Sequence, residues 1–208
     1  MIETATLLTF IGAVLLLFSS PGPNMFFVLS HGISYGSRGG VAAALGIVIA
    51  DLILTFLTAT GFTALVAASQ VLLELVRFMG AMYLLWLAWN QWNTTKVVQF
   101  KAGAVLPQTE IMRRAMLNSL LNPKALLFFL LFLPQFTNTA RGGVGWQLLT
   151  LGLVLTTLSL GFHGMLGAFS GRIGQWINAN PRVSKLQGKF LAVIMVALAV
   201  RLLFLQLH

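Results

Sequence analysis

Long apolar runs separated by short polar stretches organise the chain. Apolar residues dominate about 5–31, 41–67, 71–92, 113–137, 145–169 and 187–206. Each run is near or above the roughly 20 residues a helix needs to cross a bilayer. The pattern predicts an all-α polytopic membrane protein with six transmembrane helices in a single domain, 1–208. The one sizeable polar stretch, 93–112 (NTTKVVQFKAGAVLPQTEIM), divides it into halves of about 1–95 and 110–208. Span three ends in Trp86, Trp89 and Trp92, as expected of a belt of aromatic rings at the membrane–water boundary.

Two spans are interrupted. Ser19-Ser20-Pro21-Gly22-Pro23-Asn24 falls within the first apolar run, and Asn122-Pro123-Lys124 within the fourth. Prolines cannot donate a backbone amide proton and their rings clash with the preceding turn. The carbonyls this frees find no partner in lipid, so such breaks are tolerated where they are buried in protein or line a wet cavity. A break also creates helix ends whose N–H groups favour an anion and whose carbonyls favour an ammonium group. An amino-acid zwitterion carries both charges. Pro21, Gly22, Pro23, Asn24, Asn122, Pro123 and Lys124 are therefore the candidate substrate-binding residues; the bland alternative is a pair of structural kinks.

The halves share a pattern. Pro23 is followed fifteen residues later by Arg38-Gly39-Gly40-Val41, and Pro123 eighteen residues later by Arg141-Gly142-Gly143-Val144. Each half reads as a broken span, an Arg-Gly-Gly turn, a long span and a third span. Three spans per half is an odd number, so the second half enters the membrane from the opposite side. The expectation is two inverted three-helix repeats with helices 1 and 4 broken, an arrangement common among secondary transporters.

Charge refines this reading. Only 8% of the 208 residues are charged, against 58% hydrophobic, and the net charge is +9. In a soluble protein that excess would suggest nucleic acid; here it points to loops facing anionic lipid, and no nucleic-acid partner is expected. Nine Lys and Arg fall in loops one, three and five, and three (Arg77, Arg141, Arg201) on the other side. The positive-inside rule then places loops one, three and five in the cytoplasm and both termini outside. The first run lacks the basic start and small-residue cleavage site of a signal peptide. Without cysteine there are no disulfides or thiolate sites. His31, His163 and His208 are too scattered for a metal cluster, and no cofactor is expected. Oligomeric state stays open, a homo-oligomer included.

Charged residues inside spans are costly. Lys124 lies ten residues beyond Arg114, roughly 15 Å into the span, where insertion costs on the order of 3 kcal/mol. It would contact a substrate carboxylate, pair with an acid, or snorkel towards the interface. Glu3, Glu74 and Glu110 sit at span ends or in loops, whereas Asp51 lies about ten residues into ALGIVIADLILTF. An intramembrane carboxylate is a functional hypothesis by default, here for proton coupling; its alternative is a structural ion pair with Lys124. His163 is a weaker candidate, since a lone helical histidine more often makes a packing hydrogen bond. Gly12, Gly46, Gly61, Gly80, Gly152 and Gly167 read as sites of close helix contact. Ser159 and His163, at i and i+4, can touch, but the chain has no nucleophile motif, zinc motif or second intramembrane acid, which argues against an intramembrane enzyme.

SPGPN at 20–24, YGSRGGVAAALG at 35–46, Asp51, GAMYLLWLAW at 80–89 and LLNPKALLFFLLFLPQF at 120–136 together resemble the LysE/RhtB superfamily of bacterial amino-acid exporters, most closely its leucine-efflux branch. Ala50, where many members carry glycine, and Ala197 and Ala199 in span six depart from the pattern. The resemblance implies export of neutral amino acids, leucine and related aliphatic ones foremost, across the bacterial inner membrane by proton antiport. It places the family's broken motifs on Pro21–Asn24 and Asn122–Lys124, and its span-two acid on Asp51. Phe26 and Phe128 would receive the side chain. Export of homoserine, threonine or another small amino acid is the nearest alternative, and a passive channel a more distant one.

Overall fold

The computed structural model describes residues 2–19, 22–68 and 106–172 continuously, with single residues and pairs between 74 and 92 and between 189 and 203. Its described residues are helical with no strands. Predicted spans three and six, most of loop 93–112, and Ser20 and Pro21 lie largely or wholly outside them. Among the described residues, two helical stretches are long and apolar enough to cross a membrane, and a bent pair makes a third if taken as one span. The sixfold, inverted-repeat arrangement therefore stays an expectation, while its local features can be compared one by one.

Helix α1 spans Thr4–Phe18 and α2 Pro23–Ala68. Between them lies the first break. Gly22 supplies the first carbonyl of the new helix, to Phe26 N–H at 3.0 Å. Pro23 then occupies the first helical position, where its missing N–H costs nothing. Helix α3 spans Gln108–Leu120 and α4 Pro123–Leu127, the latter continuing as a π-helical turn, Phe128–Phe132, and a 3-10 turn, Leu133–Phe136. The two stretches meet at 57°. Asn122 caps α4 by accepting the Lys124 N–H at 3.1 Å, and Pro123 again opens the helix. Both breaks thus end in a helix that starts at a proline. Helix α5, Val144–Ala168, matches the predicted fifth span within a residue.

The Arg-Gly-Gly turn needs correction. In the second half it is a turn: Gly142 and Gly143 have φ of 66° and 60°, in the left-handed region open to glycine. The buried Gln147 ties this loop down through Asn138 N–H and the carbonyls of Asn138 and Gly142. In the first half, however, α2 turns at Gly36 (φ 72°, ψ −176°), almost the conformation of Gly142 (φ 66°, ψ −177°). Arg38-Gly39-Gly40 lies inside the helix that follows. A Cβ on Gly39 would run into the His31 carbonyl and Tyr35, so the arms 23–35 and 37–68 fold back on each other.

Small residues let the helices approach. Gly40 and Gly167 bring the backbones of α2 and α5 into contact, Gly46 meets the Met112 carbonyl of α3, and Gly152 faces Thr55. Close approach of this kind supplies the dispersion contacts that hold helices together where lipid removes the hydrophobic drive. Gly46, Gly152 and Gly167 thus act as expected. Gly12 and Gly61 have no close neighbour among the described residues, and Gly80 lies outside them. Ala50 is fully buried.

Arg38 of α2, Gln108 and Thr109 at the start of α3, and Ala168 at the end of α5 line one groove. Lys189 Nζ sits 5.3 Å from the centre of the Trp92 ring, which ties the end of span three to the start of span six. Glu3 and Arg141 form an ion pair that joins the chain's start to the loop before α5. The exposed rings of Trp86, Trp89 and Trp92 suit an interfacial belt.

Candidate functional site

The breaks meet. Asn24, one residue into α2, donates from Nδ2 to Ser119 Oγ at 2.9 Å. Its Oδ1 accepts from Asn122 Nδ2 at 3.2 Å and from Asn118 Nδ2 at 3.1 Å. Residues about 95 apart in sequence are therefore bonded across the seam, with Ser119 and Asn122 buried. Each amide supplies both a donor and an acceptor, so the cluster satisfies its own polar groups. Asn118 and Ser119 were not among the sequence-level candidates. Their only sequence signal is the i, i+4 spacing of Asn118 and Asn122 in an otherwise apolar stretch.

Asn24→Ala removes the shared partner of three side chains. It is expected to destabilise the protein by about 1–3 kcal/mol through stranded buried amides. The effect should appear as a lower thermal midpoint in detergent, and an unchanged midpoint would show the cluster to be water-satisfied.

Beside the seam lies a cavity of about 50 Å³. It holds room for a few water molecules, far below the several hundred Å³ of a typical ligand pocket. Gly22, Asn24, Asn122 and Lys124 line it, together with Asp51 from α2 and Ser159 and His163 from α5. The apolar part of the wall includes Ile47, Phe128, Phe129 and Leu155. Of the two predicted aromatic receivers, Phe128 is in this lining and Phe26 is not. Pro23 also falls outside it; Pro23 and Pro123 act by starting helices, and Pro21 lies outside the described residues.

Different helices supply the polar atoms of the cavity. Lys124 Nζ donates to the Leu17 carbonyl at 3.4 Å. That carbonyl is in the last turn of α1, where unpaired oxygens and the helix dipole favour a cation. Asp51 is 4% exposed, and its Oδ2 is buried with no hydrogen-bond partner among the described residues. Ser159 of α5 lines the same cavity. His163 Nδ1 is 3.1 Å from Ser159 Oγ and from the Ser159 carbonyl. Its ring is packed edge-on against Phe18 and Phe162, with centroids 5.2 and 5.4 Å away.

The other carboxylates are occupied elsewhere. Glu110, in the polar first turn of α3, bonds Arg113 and Arg114 at 2.8 and 2.7 Å. These guanidinium groups hold its carboxyl at about 2, so it stays ionised throughout the physiological range. Glu3 pairs with Arg141 on the surface. Glu74 is exposed, and its expected partner Arg77 is outside the described residues.

Comparison with known proteins gives the same direction. The family model described as LysE type translocator matches residues 7–206. The leucine efflux protein of Enterobacter sp. (strain 638) is 34% identical over 187 residues, 88% of this chain and 87% of that protein. That of Klebsiella pneumoniae is 33% identical over 202 residues, 96% of this chain and 95% of the relative. That of Salmonella typhimurium is 34% identical over 191 residues, 89% of each. No solved structure matches.

Proposed function

The chain belongs to the LysE type translocator family, and on that premise we propose that it is a secondary active exporter of neutral aliphatic amino acids, leucine foremost, working by proton antiport. The observation that carries this reading is the seam: both helix breaks close on one cavity through Asn24 and Asn122, with Lys124 and Asp51 in its wall. Leucine efflux proteins that align over most of the chain support the substrate.

Each group then has a role. The Lys124 ammonium takes the substrate carboxylate, giving up the Leu17 carbonyl to do so. Asn24 and Asn122 orient the zwitterion at the seam. Ile47, Phe128, Phe129 and Leu155 receive an aliphatic side chain and offer nothing to a hydroxyl, which favours leucine over threonine or homoserine. Asp51 carries the proton inward as the amino acid leaves. The cavity must widen to admit a substrate, and relative movement of the halves about the Asn24–Asn122 seam would do this. The protein would sit in the bacterial inner membrane, with loops one, three and five cytoplasmic and both termini periplasmic. No chemical conversion of the substrate is involved.

Cells loaded with a leucine-containing dipeptide test the proposal. Producing the protein should speed leucine exit, and a protonophore should abolish the gain. With the protein verified in the membrane, unchanged exit of leucine and other neutral amino acids would refute the assignment.

A further inference from the structure

The proton role given to Asp51 leaves a gap, because this carboxylate is buried. Some group must bring the proton to it. Two buried side chains on α5 stand beside it and have no part in holding the zwitterion in the reading above: Ser159 is fully buried and His163 is 4% exposed. Ser159 Oγ is 3.1 Å from His163 Nδ1 and shares the lining of the small cavity with Asp51. All three line the same cavity, and Lys124 is the other titratable group in that lining. Phe18 and Phe162 wall the imidazole ring on its apolar side.

Resting on the proton-antiport reading, we infer that Asp51, Ser159 and His163 form a relay across this cavity that delivers the coupling proton, with His163 as its first member. In the loading step the N–H bond at His163 Nδ1 breaks as an O–H bond forms at Ser159 Oγ. The original Ser159 O–H bond breaks as one forms on the Asp51 carboxylate. Charge balances: imidazolium becomes neutral imidazole, the hydroxyl is regenerated, and the carboxylate becomes a carboxylic acid. A second proton taken up at the imidazole resets the chain. Serine suits the middle place because its hydroxyl donates and accepts at once. Histidine suits the first place because a ring nitrogen can both take up and give up a proton.

The test separates proton delivery from substrate handling. Wild type, Ser159→Ala and His163→Gln are reconstituted in vesicles and assayed two ways. Leucine counterflow exchanges labelled for unlabelled leucine and needs no net proton transfer. Accumulation driven by an acidic lumen does need it. Both variants should keep counterflow while losing accumulation by at least about tenfold, the lower end of what a positioned proton-transfer group contributes. Wild-type accumulation in both variants would overturn the relay. So would parallel loss of counterflow and accumulation, which would mark the pair as structural. If wild type itself shows counterflow but no pH-driven accumulation, the proton-antiport reading fails and the relay falls with it.

Discussion

Asp51→Asn should reach the membrane in normal amount yet lower leucine efflux under a proton gradient to the level of cells lacking the protein. Asparagine matches aspartate in shape, but its amide neither gains nor loses a proton in this range. Substitution also removes a buried acid whose Oδ2 has no hydrogen-bond partner among the described residues. Burying an unpaired ionisable group costs free energy, so the thermal midpoint in detergent should be unchanged or higher. A stable, well-inserted protein without driven transport is the signature of a functional carboxylate. Wild-type efflux in this variant would remove Asp51 from the mechanism.

Lys124→Met should weaken leucine binding by roughly ten- to a hundredfold. The expected loss is one charge-assisted hydrogen bond to the substrate carboxylate, worth about 1.5–3 kcal/mol. Methionine keeps most of the apolar stem, so packing against the start of α4 should survive. Leucinamide, which lacks the carboxylate, gives the sharper comparison. Wild type should strongly prefer leucine, whereas Lys124→Met should treat the two nearly alike, as read from leucine-induced shifts in thermal midpoint. A variant that still favours leucine by the wild-type margin would show that Lys124 only caps the end of α1 through the Leu17 carbonyl.

The parts of the site that were legible in the sequence are those that violate the logic of a bilayer. A carboxylate, an ammonium and two proline-bearing interruptions are expensive in apolar runs, so Asp51, Lys124, Asn24 and Asn122 stand out before any coordinates. Their convergence does not. The bond between Asn24 and Asn122 spans 98 residues, and no local pattern encodes it. Asn118 and Ser119 escaped notice because small polar residues five positions past an arginine pair look like ordinary membrane-edge residues.

The Arg-Gly-Gly repeat shows a different limit. Glycine identity says that a residue can adopt positive φ or allow a close contact, but not which. At Gly142 the backbone uses the first freedom; at Gly39 and Gly40 packing uses the second, and Gly36 makes the turn instead. The motif aligned in sequence while its structural roles shifted by a few residues. What the two halves do share locally is the φ and ψ of Gly36 and Gly142 and a helix that starts at a proline.

The central claim is that leucine leaving through the cavity between the two breaks is exchanged for a proton. Vesicles containing the purified protein, an entrapped pH dye and an outward leucine gradient test it directly. The account predicts that the lumen acidifies as leucine leaves, and that Asp51→Asn abolishes the acidification. Leucine leaving through the wild-type protein with no change in luminal pH, or with alkalinisation, would contradict it.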